Sequence, residues 1–137
     1  MDKGHYTLTL DHERGLVHVV AQGEFDIKSG EELITAAREN AAEHQYNIVC
    51  DVRASRAKVN LVDWFYLPRR LGVYRNWQTR YVRTAILVTP GRQENVYRFF
   101  ETVASNLGLQ IKIFLVKEEA LEWLASSPKR EDIALDA

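Results

Sequence analysis

Two hydrophobic patterns follow one another along the chain, and each predicts its own kind of element. Apolar and polar residues alternate over residues 5–10, which places Tyr6, Leu8 and Leu10 on one face of a strand. A polar turn ending at Gly15 follows, and residues 16–21 are then almost entirely apolar. Two such segments joined by a short turn predict a β-hairpin at the start of the chain.

Helical periodicity appears after the hairpin. The segment from Ser29 to Glu32 matches an S-x-x-E capping box and predicts a helix that runs to about His44. The clearest helical pattern covers residues 93–107, and Gly108 stands where a C-terminal cap is expected. Further strands are predicted at residues 46–51, 84–88 and 110–116, with a short last helix at 118–125.

These elements follow one another in the order β-β-α-β-α-β-α-β-α. Strands that alternate with helices pair in parallel, and the hairpin contributes an antiparallel pair. The sequence therefore predicts an α/β fold with a mixed five-stranded sheet and about four helices. We assign residues 1–126 to a single domain and residues 127–137 to a frayed, charged C-terminal tail.

The segment between residues 46 and 77 is the candidate functional region. Its strand ends in Asp51, and a polar, basic stretch over residues 53–58 is predicted to form a bend. Asn60 is placed to cap an aromatic helix. Pro68 either kinks this helix or separates two short helices, about 60–67 and 68–75. A strand that ends in an acid and leads into a helix is a common ligand site in α/β folds.

The distribution of charged residues also distinguishes this region from the rest of the chain. The net charge is only −1, yet residues 52–83 contain eight basic residues and a single acid, Asp63. Such a segment attracts phosphates, anionic lipids or acidic protein surfaces, or it forms a solvated face. The single cysteine, Cys50, excludes an intramolecular disulfide, and a buried inert thiol is favoured over a reactive one. With no membrane-spanning run and no signal peptide in the sequence, we expect a cytoplasmic protein.

Catalytic and metal-binding patterns are absent from the sequence. There is no glycine-rich phosphate loop, no nucleophile elbow and no Cys/His zinc spacing. We therefore predict no catalytic residue, no metal site and no cofactor. For Asp51 three roles stay open: a cap for the loop that follows it, a ligand-binding residue, or the general base of a small enzyme.

Aromatic and basic residues are interleaved in the same region. Such a patch suits core packing beneath long arginines, a ligand or partner surface, an anionic membrane surface or single-stranded nucleic acid, and the last is least favoured. The residues concerned are Trp64, Phe65, Tyr66, Tyr74, Trp77 and Tyr81, with Arg69, Arg70, Arg75, Arg80 and Arg83.

Three motifs resemble the STAS family, the domain of sulfate transporters and anti-sigma-factor antagonists. They are the Gly-Glu-Phe-Asp turn at residues 23–26, the apolar strand 48–51 ending in Asp, and the last helix at 118–124. That helix is similar to a small single-domain branch often grouped with CRAL-TRIO lipid-binding proteins. The resemblance implies a regulatory binding domain.

One departure from the family limits what the resemblance implies. Anti-sigma-factor antagonists carry a phosphorylated serine in an Asp-Ser-Ser/Thr-Gly segment after the strand. Here Asp63 is followed by Trp64 and Phe65, and no Ser or Thr occurs between Arg56 and Gln78. The phosphorylation site is therefore not carried over to this chain.

The sequence leads to a non-enzymatic binding or regulatory module. It would recognise a partner protein or a small anionic or lipid-like ligand, with peripheral membrane contact and homodimer formation as further expectations and nucleic acid disfavoured. The alternatives are a small enzyme that uses Asp51 and an interaction protein that works as a homodimer. The candidate binding residues are Asp51, Arg53, Ser55, Arg56, Lys58, Asn60, Leu61, Trp64, Phe65 and Leu67.

Overall fold

The computed structural model describes residues 3–70 and 82–127. Within these ranges it contains five strands and four helices in the predicted order. The strands are β1 (His5–Asp11), β2 (Leu16–Phe25), β3 (Asn47–Ala57), β4 (Arg83–Leu87) and β5 (Gln110–Phe114). The helices are α1 (Ile27–His44), α2 (Leu61–Arg70), α3 (Arg92–Asn106) and α4 (Lys117–Ala125).

All five strands belong to one sheet, in the order β1-β2-β3-β4-β5. The hairpin strands β1 and β2 are antiparallel, and every later neighbour pairs in parallel. The predicted mixed five-stranded α/β fold is therefore confirmed.

The sheet is covered on both faces by apolar side chains. On one face, side chains of α1, α2 and α3 join the larger core, which includes Val19, Ile48 and Ile86. On the other face α4 inserts Ala120 and Leu124 against a smaller cluster from β2 to β5. The three inner strands of a parallel sheet lie between two layers, which explains their nearly continuous apolar sequences.

Helix α1 starts earlier than the sequence pattern predicts. Asp26 is its N-cap, and its Oδ1 accepts a hydrogen bond from the Ser29 backbone N–H at 2.8 Å. Ser29 Oγ in turn accepts from the Asp26 backbone N–H at 3.0 Å. The capping box is thus Asp26–Ser29, and the predicted Ser29–Glu32 box is wrong. Ser29 takes the third helical position because β2 continues to Phe25 and leads directly into the helix.

Strand β3 is longer than predicted and includes the basic stretch. Residues 54–57 pair with residues 22–25 of β2, so the predicted bend over residues 53–58 is wrong and Asp51 lies inside the strand. The register shifts between Val20 and Gln22, where β3 contains one more residue than β2. This β-bulge absorbs the extra residue and lets a polar sequence continue as a strand.

Helix α2 begins as predicted. Asn60 Oδ1 accepts a hydrogen bond from the Asp63 backbone N–H at 2.8 Å, which confirms the predicted cap. The helix runs to Arg70 and passes through Pro68, so no second helix begins at that proline. Residues 71–75, the rest of the predicted second helix, lie outside the described residues.

Other predictions for the second half of the chain are confirmed or shortened. Gly108 follows α3 with a φ of 83°, which is the left-handed conformation expected of a C-terminal cap glycine. Strand β5 ends at Phe114, before the predicted end at Val116, because Val116 forms the N-cap of α4. Cys50 is buried as predicted, and burial raises the pKa of its thiol to about 12. None of the described helices has the length and apolar character required to span a bilayer.

Candidate functional site

The ten candidate binding residues occupy three different places. Four charged residues lie at and beyond the β-bulge: Asp51, Arg53, Arg56 and Lys58. Three line a cavity below α2: Ser55, Trp64 and Leu67. The remaining three lie at the start or on the outer side of α2: Asn60, Leu61 and Phe65.

At the β-bulge, Arg53 folds back onto Asp51. Its Nε and Nη2 donate to Asp51 Oδ1 and Oδ2 at 2.9 and 2.8 Å, and its backbone N–H donates to Oδ1 at 3.1 Å. These hydrogen bonds stabilise the ionised carboxylate and lower the pKa of Asp51. A general base would need a raised pKa and a pocket of its own. The proposed role of Asp51 as an enzymatic base therefore finds no support in this geometry.

Arg56 and Lys58 extend the charged group toward α2. Both side chains are exposed, and Lys58 Nζ lies 4.0 Å from Glu24 Oε1. The Lys58 backbone N–H donates to the Phe25 carbonyl at 2.7 Å, which anchors this end of β3. Arg56 therefore lies near the end of β3 and Lys58 directly after it, shortly before α2.

The cavity lies between the sheet and α1, α2 and α3, and its volume is about 100 Å³. Ser55 reaches it from β3, with its hydroxyl donating to the Val52 carbonyl at 2.7 Å. Trp64 closes it from α2 and packs edge-on against the rings of Tyr97 and Phe100, with centroid distances of 5.0 and 5.4 Å. The core-packing interpretation is thus correct for Trp64 and wrong for Phe65, which is 38% exposed because it faces away from the sheet; Leu67 is buried beside Trp64.

The outer side of α2 is apolar as well. Leu61, Val62, Phe65 and Tyr66 are exposed by 61, 63, 38 and 50%. The Phe65 and Tyr66 rings meet edge to face, with centroids 5.1 Å apart. The Arg69 guanidinium lies 4.5 Å from the Phe65 ring centroid, at cation–π distance. We call these four apolar residues the outer α2 face.

The interleaved aromatic and basic residues do not form one described patch. Arg83 belongs to the opposite side of the sheet, where its guanidinium covers the Trp123 ring at 5.0 Å and donates to the Trp123 carbonyl at 2.8 Å. Tyr74, Trp77, Tyr81, Arg75 and Arg80 lie outside the described residues.

Sequence reasoning missed several residues that shape these places. Val62 belongs to the outer α2 face, and Arg38 and Thr84 are buried in the cavity wall. Tyr66 was named in the aromatic patch but was not among the ten candidate binding residues. Arg38 follows Ile34 by one helical turn on the apolar stripe of α1, and that spacing could have placed it on the buried side.

Comparison with known proteins identifies the fold. No protein-family model and no curated protein matches the sequence. One similar solved structure is an uncharacterized protein of the DUF3478 family with a SpoIIAA-like fold, from Shewanella loihica PV-4. The TM-score is 0.60 at 18% identity, over 90% of this chain and 97% of that chain. Another is an anti-sigma factor antagonist from Mycobacterium paratuberculosis, with a TM-score of 0.55 at 13% identity, over 88% and 94%.

These two similarities confirm the STAS-like fold that the sequence motifs suggested. Both alignments cover nearly the whole of each chain, so the likeness extends through the sheet and its helices. At these identities it concerns the fold, and function has to be argued from the surfaces of this chain.

Proposed function

We propose that this protein is a non-enzymatic regulatory module that binds a partner protein through the outer α2 face. The observation that carries the proposal is the exposure of four large apolar side chains on one short helix, Leu61, Val62, Phe65 and Tyr66. Clustered exposed apolar groups of this kind mark interaction sites, and tyrosine is common among interface hot spots.

The charges around the outer α2 face favour a partner with an acidic rim. Arg69 stacks on Phe65, and the exposed Arg56 and Lys58 lie at the end of β3 and directly after it, a few residues before the helix. Cations at the rim of an apolar interface steer association and fix the orientation of the partner. A small anion is a poorer fit at this helix start, because Asn60 caps the Asp63 N–H and Asp63 adds negative charge to the first turn.

The fold supports a regulatory role of this type. One structure with this fold is an anti-sigma factor antagonist. The family resemblance implies a regulatory binding domain whose phosphorylated segment lies at the start of the helix after the strand that corresponds to β3. This chain carries Trp64 and Phe65 at the start of that helix in place of the phosphorylatable segment. We therefore propose that binding depends on apolar contact and does not require phosphorylation.

Site-specific photo-crosslinking tests this proposal. A photoreactive amino acid at Val62 should capture one discrete partner in cells of the native host. The same group at Thr35, which is exposed on α1, should capture none. Equal capture at the two positions, or no capture at Val62, would contradict the proposal. A product of twice the monomer mass would identify a second copy of this chain, as the homodimer alternative expects.

A charge substitution then tests which side chains bind. Replacing Val62 and Tyr66 by Glu should weaken the affinity for the captured partner by about thirtyfold or more, because hot-spot truncation costs about 2 kcal/mol or more. The double variant Thr7→Glu, Thr35→Glu serves as the control, since it adds the same two negative charges at exposed positions outside α2. Unchanged affinity in the double variant would assign the interface to another surface.

A further inference from the structure

Strand β1 forms one edge of the sheet, and among the described residues its outer side is unpaired. It pairs with β2 along all seven of its residues, and no described strand lies on its other side. In an antiparallel pair, every second residue directs its N–H and C=O groups away from the neighbouring strand. β1 therefore presents a row of backbone donors and acceptors about 24 Å long.

The two edges of the sheet differ in how they resist further pairing. Strand β5 has five residues, and the exposed Lys112 stands at its centre. Short edge strands and lysines are common means of preventing another chain from adding to a sheet. Strand β1 is longer and contains no Lys, Arg or Pro, and its five central residues are all Tyr, Thr or Leu. Of the two edges, β1 is therefore the one suited to receive another strand.

The start of β1 is held in place by the end of β2. The Gly4 backbone N–H donates to the Glu24 carbonyl at 2.7 Å. A Cβ at Gly4 would lie 2.6 Å from the same carbonyl oxygen, so the two backbones approach more closely than any other residue would allow. An edge that is already fixed loses little conformational entropy when another strand pairs with it.

The sequence of β1 is complementary to itself in the antiparallel orientation. Two copies that pair over the whole length of β1 place Leu8 opposite Leu8 of the second copy. In this register apolar residues face apolar residues, threonine faces threonine, and an imidazole faces a carboxylate. The opposed pairs are Leu8–Leu8, Tyr6–Leu10, Thr7–Thr9 and His5–Asp11.

The environment of these side chains favours such pairing. Leu8 and Leu10 are half-buried against the larger core, and Tyr6 beside them is 37% exposed, so a second copy would extend an existing apolar row. Thr7 and Thr9 are exposed on the other face of the strand. Aromatic–aliphatic, Thr–Thr and oppositely charged pairs across two strands each stabilise a sheet.

We propose that two copies of this chain associate through their β1 edges, antiparallel and in full register, and so form one continuous sheet of ten strands. Pairing confined to one strand gives an interface at the small end of the range for specific complexes, about 1,200 Å² or less. We therefore expect a weak dimer that dissociates on dilution.

This proposal is independent of partner binding on the outer α2 face. The two surfaces lie on different elements, so the Thr7→Glu substitution changes the β1 edge and leaves the outer α2 face unaltered, together with its affinity for a partner per subunit. Failure of one proposal leaves the other standing.

Sedimentation of the full chain, from micromolar to near-millimolar concentration, tests for the dimer. The weight-average mass should rise with concentration from that of the monomer toward twice that value. A monomer at every concentration would overturn the proposal and mean that another segment covers the β1 edge or that the edge stays solvated.

Like charges placed across the proposed interface test its location. The double variant Thr7→Lys, Thr9→Lys puts lysines opposite each other and should weaken the dimer by about tenfold or more. Both positions are exposed and edge strands tolerate lysine, so the variant should fold, which circular dichroism verifies. The matched control is Thr35→Lys, Ser105→Lys, which adds the same charges at exposed positions on α1 and α3 and should dimerise like the parent. Equal dimerisation of the β1 variant and the control would overturn the proposal.

Mixed charge variants test the register. In the full register, Thr7→Lys of one chain faces Thr9→Glu of the other, so these two variants should form a heterodimer when mixed. A mixture of Thr7→Lys with Thr7→Glu should pair more weakly, because those side chains are only diagonal neighbours. The opposite preference would overturn the assigned register.

The outer α2 face provides the competing location for self-association. A dimer that is lost in the Val62→Glu, Tyr66→Glu variant and kept in Thr7→Lys, Thr9→Lys would lie on α2, and the β1 proposal would be wrong. A dimer lost only in the β1 variant would confirm it.

Discussion

The two sides of helix α2 are both apolar, but the inner side is buried against the protein and the outer side is exposed to solvent. On the inner side, Trp64 and Leu67 are buried against α3 and the cavity. On the outer side, Leu61 and Val62 are more than half exposed on the same helix. Apolar residues of one helix thus lie in two environments, and their contributions to stability should separate the core from the proposed docking surface.

The largest expected effect is on the inner side. Trp64→Ala removes an indole that packs edge-on against Tyr97 and Phe100, and it should lower the free energy of unfolding by about 3 kcal/mol. The value lies at the lower end of the range for such substitutions because the indole already borders a cavity. Urea denaturation followed by circular dichroism measures the change.

Val62→Ala is the matched control for that experiment. Its side chain is 63% exposed, so unfolding should change by less than about 0.5 kcal/mol. Similar losses in the two variants would mean that the outer α2 face is covered in the native protein, and the docking proposal would fail with the comparison.

Sequence reasoning recovered the order of elements but could not separate these two sides. Residues 61–67 are apolar at six of seven positions, so a helical period does not show which side is buried. The structure resolves this because only the Trp64 side meets Tyr97 and Phe100, residues that lie more than thirty positions away.

The β-bulge was beyond prediction for a similar reason. Residues 53–57 are polar or small and resemble a loop, and only the pairing of residues 54–57 with residues 22–25 makes them part of a strand. Pairing between distant segments leaves no local signal in a sequence. The Asn60 cap was predictable because its partner, Asp63, lies three residues away.

An intermediate effect is expected at the junction between strand and helix. Asn60→Ala removes the side-chain acceptor of the Asp63 N–H and should cost about 1 kcal/mol of stability. Asn60→Asp keeps an acceptor and should stay within a few tenths of a kcal/mol of the parent. Thermal unfolding of the two variants measures the difference. Equal stability would show that the helix start is held by its packing and owes little to the cap.

The smallest expected effect lies on the outer side of β3, at the Asp51–Arg53 pair. Hydrogen bonds from Arg53 lower the pKa of Asp51 in the folded state. A carboxylate with a lowered pKa contributes stability above its unfolded pKa of about 3.9, and that contribution is lost as the pH falls through the folded value. Because both side chains reach solvent, we expect less than about 1 kcal/mol at neutral pH.

Asp51→Asn should therefore lower stability slightly at pH 7 and bring it level with the parent protein in strong acid, below the folded pKa. Urea midpoints measured across the acid range test this, with Asp63→Asn as a control for a carboxylate on the neighbouring helix. An equal loss of stability in Asp51→Asn and Asp63→Asn at every pH would show that the Asp51–Arg53 pair makes no specific electrostatic contribution to stability. An Asp51→Asn variant more stable than the parent at pH 7 would show that the Asp51 carboxylate destabilises the folded protein. Such a result would add the Asp51–Arg53 pair to the candidate binding surfaces of this chain, because activity often conflicts with stability at functional sites.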